Sequence, residues 1–231
     1  MCGRFAYYSA AEAAVDLFGL AASPPVAAHY NIAPTDLAAV VRADDAGGFA
    51  VSMLRWGLLP HWAKDRSMAA RTINARSETV HEKPSFREAF KRRRCVVPAD
   101  GYYEWVAGPD GKQPYYLSRR DCRPIALAGL WEQWRDPARD GELVETFTIL
   151  TMAAAGGIES VHHRMPVMLD DVACEHWIAG DGGNPPALRE LSAEARAAEL
   201  DYWAVAKTVN NARNESPALI EPSPAQGSML E

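Results

Sequence analysis

The amino-acid sequence predicts an α+β domain built on a mainly antiparallel sheet or barrel. Apolar runs of strand length recur along the chain, bounded by clusters of Gly, Pro, Asn and Asp. Helical stretches fall between them irregularly, so no βαβ repeat arises to build a parallel sheet. No internal repeat or low-complexity linker divides the 231 residues, which places one domain at about residues 2–222. Residues 223–231 are expected to form a disordered tail.

Taken in order, Ser9-Ala10-Ala11-Glu12 has the spacing of a capping box and opens a helix to about Gly19. Leu37–Val41 and Phe49–Leu54 flank Asp44-Asp45-Ala46-Gly47-Gly48 and read as a hairpin. Pro84 to Lys91 reads as a short helix with proline near its start. Strands are expected at Cys95–Val97, Gly101–Val106, Tyr115–Ser118, Ile125–Trp131 and Phe147–Met152, with a turn at Gly108-Pro109-Asp110-Gly111. Helices are expected at Asp170–Ile178 and Leu188–Leu200, separated by a Gly/Pro-rich loop from Gly180 to Pro186. A last strand near Trp203–Val209 precedes Asn210-Asn211.

Composition narrows the function classes. No apolar run reaches the roughly 18 residues of a membrane span, and MCGRFAYYSAAEAA has no basic region followed by an apolar stretch. A cytoplasmic location and no membrane partner are therefore expected. The four cysteines Cys2, Cys95, Cys122 and Cys174 include no CxxC pair, which argues against a zinc knuckle or a disulfide framework. Cys95, Cys122 and Cys174 read as small core residues. The net charge of −6 is unlike that of a general nucleic-acid binder. It is unevenly spread, however: residues 51–120 hold 14 Lys+Arg against 7 Asp+Glu, the remainder 10 against 23. A basic central segment of this kind can line a positive groove.

Cys2 differs from the other cysteines by position. Its predecessor is an initiator methionine, and cysteine is small enough for that methionine to be removed. The product carries an amine and a thiol on adjacent carbons. An α-amine with a pKa of about 7.7–8.0 is substantially unprotonated near neutrality and condenses with an aldehyde to an imine. The thiol then closes on the imine carbon, giving a five-membered thiazolidine that an internal cysteine cannot form.

Several segments hold residues that could serve such a nucleophile. Arg4 stands two residues on, ready for an anionic ligand. Tyr30-Asn31-Ile32-Ala33-Pro34-Thr35 reads as a loop fixed by Pro34. Trp56 and Trp62, within Arg55-Trp56-Gly57-Leu58-Leu59-Pro60-His61-Trp62, suit either stacking on unpaired bases or core packing. Asn74 and Arg76 are two apart and would share one face of an extended segment. Glu104, amid Tyr102, Tyr103 and Trp105, should be desolvated, which raises a carboxyl pKa toward values useful for proton transfer. His162 and His163 precede Arg164-Met165-Pro166 and titrate near neutrality. No third ligand accompanies them at metal-binding spacing, so no metal or other cofactor is expected. Lys91-Arg92-Arg93-Arg94 could face DNA or solvent.

MCGRF, YNIAPT, RWGLLPHW, INARSET, KPSFREAF, RRCVVPADGYYEW, HHRMPVML and VNNARN, in this order over nearly the whole chain, resemble the SOS-response-associated peptidase family, also described as abasic-site-shielding proteins. The resemblance implies a pseudo-barrel of antiparallel strands decorated by helices. It also implies a covalent thiazolidine between Cys2 and the ring-opened sugar of an abasic site in single-stranded DNA, formed by a monomer that associates with the nucleoid when bound. Asn74 would position the amine and sugar, Glu104 would move protons, and His162 would act as acid–base on the sugar oxygen and in reversal of the crosslink. Arg4, Arg76, Thr151 and Arg164 would grip phosphates, with Trp105 and the RWGLLPHW segment stacking or wedging against bases. The family name implies self-processing that releases what precedes the cysteine, with lyase activity as a further expectation. His163 departs from the family, which often has an acidic residue there; His162 keeps the spacing to Arg164-Met165-Pro166.

Two other function classes fit parts of this pattern. A cysteine peptidase or N-terminal-nucleophile amidase would use Cys2 with Glu104 and His162 on peptides. A non-catalytic single-strand-binding module would rest on the basic segment alone and be strongly weakened by salt.

Overall fold

Strand β10 (Glu142–Ala153) organises the molecule because it exchanges partners along both edges. A computed structural model describes residues 2–9, 27–44, 46–109, 111–179 and 192–223. On one edge, β10 forms a long antiparallel ladder with β9 (Ile125–Asp136), from Glu142↔Asp136 to Ile149↔Gly129, and then pairs with β11 (Arg164–Pro166). On the other edge it runs parallel first to β4 (Phe49–Trp56) and then to β5 (Asn74–Arg76). β4 pairs with β3 (Leu37–Ala43), β3 with β6 (Arg94–Ala99), and β6 with β9. The circuit β10-β4-β3-β6-β9 returns to β10, so five strands close a barrel. β12 (Met168–Leu169) extends β9.

A second, antiparallel sheet lies against the barrel. It comprises β1 (Phe5–Tyr7), β2 (His29–Ile32), β7 (Gly101–Gly108), β8 (Gly111–Arg119) and β13 (Leu200–Ala204), in the order β13-β8-β7-β1-β2. The chain passes from barrel to sheet at Asp100, between β6 and β7. The buried Asp100 carboxylate accepts the backbone N–H groups of Tyr8 at 2.5 Å and Ser9 at 2.7 Å, fixing the end of β1. One core spans both sheets: Phe5, Tyr102 and Leu117 join Val40, Leu54, Trp56, Phe147 and Ile149. The α+β pseudo-barrel anticipated from the sequence is therefore the fold, with α1 (Arg87–Arg92), α2 (Asp171–Ile178) and α3 (Ala193–Ala198) peripheral.

The expected hairpin joins β3 to β4, with Asp44 Oδ1 accepting the N–H groups of Ala46 and Gly48. Asp170 caps α2 by accepting from Ala173 N–H. Four expectations change. Pro84 stands ahead of α1, which starts at Arg87 once the turn bonds Phe86 N–H and Arg87 N–H to Lys83 O have formed. Asn31 lies within β2, so YNIAPT begins as a strand and turns only after Ile32. The late strand ends at Ala204, where its partner β8 meets Pro114 and the ladder runs out, and Lys207–Asn210 form a 3-10 turn. Cys122 is exposed in the turn after β8, at φ 59°, unlike the buried Cys95 and Cys174. The helix read from Ser9 to Gly19, the loop from Gly180 to Pro186, the start of the Leu188–Leu200 helix and the tail from 224 lie outside the described residues.

Gly57 ends β4 and turns the chain inward. Its φ is +120°, and a Cβ there would stand 2.6 Å from Ala69 O. Its N–H reaches Phe147 O at 2.8 Å, tying the turn to β10. Backbone strain and overpacking add at this position, so Gly57→Ala should destabilise the protein by about 2–4 kcal/mol in urea unfolding. A change below about 0.5 kcal/mol, the usual range for surface substitutions, would mean the turn is not fixed as described.

Candidate active site

The partner exchange on β10 brings three separate segments to one place. β5 carries Asn74 along one edge, and the Val161–His163 turn leads into β11 along the other. β1 then lays the amino terminus over this end from the second sheet. Phe5 pairs with Tyr102, and Tyr103 N–H donates to Arg4 O at 2.9 Å, so the chain ahead of Arg4 runs beside Glu104.

Cys2 is fully buried in the shared core. Asn74 Nδ2 donates to its carbonyl oxygen at 2.7 Å, and its thiol is 3.8 Å from Arg4 O. Burial pushes the thiol far above its ordinary range, and the charge of Glu104 pushes the same way. Glu104 itself is only 3% exposed. Burial raises its carboxyl above the usual 4.5. The predicted desolvation of this carboxylate is thus present.

Glu104 Oε1 stands 4.0 Å from His162 Nδ1. That ring nitrogen is also 3.0 Å from Arg164 N and 3.1 Å from Arg164 O. A deprotonated Nδ1 can accept the N–H, and a protonated one can donate to the carbonyl, so the backbone accommodates either state. Burial lowers the His162 imidazole below 6.5. His163 is exposed and stacks on it at 4.3 Å between centroids, and the charge of His162 lowers its pKa too. Of the two imidazoles, His162 is the one paired with Glu104 among the described residues. Among the described residues no three His, Cys, Asp or Glu side chains are grouped to hold a metal ion.

The residues expected to grip DNA are dispersed around this centre. Arg76 is exposed. Arg4 is partly buried; it donates to Asn31 Oδ1 at 2.6 Å and Val209 O at 3.1 Å, and lies 5.9 Å from the Trp105 ring. Trp105 Nε1 donates to Asn210 Oδ1 at 2.7 Å. Thr151 is fully buried and Arg164 nearly so. Arg164 makes a bidentate pair with Glu78, at 2.5 and 2.9 Å, and donates to Thr151 O at 2.6 Å. A phosphate reaching these two would have to displace Glu78. Trp56 is buried between Phe5 and Phe147, with its N–H on Ile73 O, so it packs the core and cannot stack on a base. Trp62 is 48% exposed. It lines a surface depression of about 450 Å³ with Lys64, Arg71 and Phe86. In the basic run, Arg93 pairs with Glu132 and Arg94 stacks on Phe90 and Trp177, so these two face inward.

Two structural residues escaped the sequence reading. Asn31 Nδ2 ties down the carbonyls of Asn211 and Asn214 while its oxygen holds Arg4. Glu78 lies 86 positions from Arg164, too far for any local pattern to pair them.

Residues 1–212 match the family description SOS response associated peptidase (SRAP). The chain belongs to the SRAP family. Abasic site processing protein YoqW of Bacillus subtilis is 36% identical over 225 residues, covering 96% of this chain and 99% of that one. Abasic site processing protein HMCES of Gallus gallus is 34% identical over 192 residues, 73% of this chain and 56% of its own length. A protein of Bacteroides thetaiotaomicron, solved by X-ray crystallography, shares the fold with a TM-score of 0.80 at 25% identity, covering 96% of this chain and 100% of that one. No helix among the described residues of this SRAP protein is long and apolar enough to cross a membrane.

The opposed pKa shifts have consequences for stability. The folded protein binds a proton at His162 less readily than the unfolded chain does, so this contribution to stability is lost as the pH falls through 6.5. Glu104 has the opposite sign: its folded-state pKa is raised, so ionisation penalises the fold as the pH rises above 4.5. Glu104→Gln should therefore raise the thermal midpoint at pH 7, and the gain should shrink as the pH approaches 4.5. Thermal melts across that range check this; a lower midpoint at pH 7 would show that the carboxylate is stabilised where it lies.

Proposed function

We propose that this protein processes abasic sites in single-stranded DNA by covalent capture at Cys2. The observation that carries the reading is the convergence of Asn74, Glu104 and His162 on a cysteine that would become the first residue after loss of methionine. The names of YoqW and HMCES as abasic site processing proteins support the substrate class.

The ring-opened abasic sugar presents an aldehyde. The Cys2 amine adds to it and water leaves, giving an imine. The sulfur then adds to the imine carbon, and the thiol proton ends on the nitrogen, so one water is lost overall. The buried thiol is held neutral, and closure therefore needs a nearby base. Glu104, with its raised pKa and its contact to His162, can take that proton and return it. Asn74 holds the Cys2 carbonyl and so fixes the backbone that carries both nucleophiles. Exposed Arg76 and partly buried Arg4 and Trp105 flank the site and supply contacts to phosphate and base. Thr151 and Arg164 join them only if Glu78 moves aside. Release of the initiator methionine, by the same group or by an aminopeptidase, precedes the reaction.

Protein with a free Cys2 amine, incubated with single-stranded DNA bearing one abasic site, should give a shifted band on a denaturing gel. Cys2→Ala should abolish the band, as should an added residue that makes Cys2 internal. Persistence of the band in either variant would place the covalent bond elsewhere. Glu104→Gln should slow its appearance by about 10²–10⁴-fold, the usual contribution of a general acid–base. Capture at an undiminished rate would remove Glu104 from the chemistry.

A further inference from the structure

We propose that Glu78 is a positioning residue for the chemistry at Cys2, acting through Arg164 to hold Asn74 and His162 at a fixed separation. The inference rests on the reading of Cys2 as the nucleophile.

Asn74 and His162 belong to segments that do not pair with one another. β5 and β11 lie on opposite edges of β10, in register at Arg76↔Thr151 and Thr151↔Pro166. Each has three residues, so each is held by a short ladder. The Glu78–Arg164 pair bridges the two across the end of β10. Glu78 stands in the turn that leaves β5, and Arg164 is the first residue of β11. Arg164 Nη1 donates to Glu78 Oε1 at 2.5 Å, and Nη2 donates to Oε2 at 2.9 Å. Thr151 O on β10 accepts both Arg164 Nη2, at 2.6 Å, and Ser77 N–H, at 2.9 Å. All three segments thus meet at one carbonyl.

The clamp also reaches the reacting groups through the backbone. Arg164 N and O flank His162 Nδ1, so a shift of Arg164 moves the imidazole relative to Glu104. From Glu78 the chain runs back four residues to Asn74, whose amide holds the Cys2 carbonyl. A bidentate Arg–carboxylate pair fixes direction as well as distance, which a single bond does not. Arg164 is 8% exposed, so loss of its partner would leave a largely buried guanidinium to seek another acceptor.

A different role would have Glu78 merely occupy Arg164 until a phosphate replaces it. The two roles predict opposite effects on DNA binding. The test uses the full chain with a free Cys2 amine, as wild type, Glu78→Ala and Glu78→Gln, with abasic and undamaged single strands. With Glu78→Ala, the crosslinking rate at saturating DNA should fall by about 10²-fold, the scale of a 1 Å misplacement. The half-saturating DNA concentration and the affinity for undamaged strand should stay unchanged. Glu78→Gln keeps the reach and one acceptor, and should recover most of the rate. NMR resonances of the Asn74 amide and the His162 ring should move in Glu78→Ala and return in Glu78→Gln. An unchanged maximal rate, or tighter binding of undamaged strand by Glu78→Ala, overturns the positioning role. If Glu78→Ala does not fold, tighter binding of undamaged strand by Glu78→Gln, or His162 and Asn74 resonances unmoved in every variant that folds while binding tightens, overturns it equally. A wild type that captures no abasic DNA overturns the reading of Cys2 itself, which is a different result from any variant pattern.

Discussion

The site depends on one strand serving two structures in succession. For its first half β10 is a barrel stave, paired with β9 and β4. Past Ile149 it leaves the barrel and takes β5 and β11 instead. A strand that remained in the closed barrel would have no free edge for either segment. Because β10 outruns its neighbours, Asn74 and the His162 turn are delivered to its two sides. The cost is that short ladders hold both, and polar bonds such as Arg164 to Glu78 and Trp56 Nε1 to Ile73 O take up the difference. The precision of the site is set by hydrogen bonds, and the stability of the frame by the apolar core beneath it.

That division explains what could be read from the chain. The hairpin at Asp44, the strands at Cys95, Gly101 and Ile125 and the helix that ends at Ile178 follow from turn chemistry and apolar patterning within a few residues. The same local logic singled out Glu104: a carboxylate set among aromatics on a strand is buried, as its 3% exposure shows. Closure of the barrel left no such trace, because the parallel pairing of β4 with β10 joins segments about 90 residues apart. Glu142–Thr146 looks too polar for a strand until β9 is seen opposite it. For Trp56 and Trp62 the sequence offered two uses for one indole pair, and only the tertiary packing separates the buried ring from the exposed one.

Long-range polar ties were the least legible feature. Arg4, Asn31 and the carbonyls of Val209, Asn211 and Asn214 form one connected group that draws both ends of the described chain together beside Trp105. Each residue taken alone reads as a loop residue or a surface cation. Buried donors and acceptors must be paired, and the pairing partners lie up to 205 positions apart. Periodicity cannot reveal such a group. The identity of the amide and guanidinium at those positions hints only that something polar is required there.

Charge placement bears on why a covalent bond would suit this scaffold. The central segment carries an excess of Lys and Arg, yet Arg66, Arg93 and Arg94 are occupied by Asp136, Glu132 and the Phe90–Trp177 rings. Nine of the fourteen Lys and Arg, Arg76 among them, are nonetheless exposed, and the whole chain remains at −6. Non-covalent affinity for a phosphate backbone scales with the number of phosphates neutralised and falls steeply with salt. A protein whose overall charge is negative gains little residence time that way. An aldehyde-reactive aminothiol removes the dependence, since the bond to the lesion does not weaken as counterions compete. On the proposed function, the exposed cations near Cys2 need only bring the strand into register. The desolvated Glu104 and His162, which burden the fold at neutral and acidic pH respectively, would then be retained for the proton transfers that make and unmake the bond.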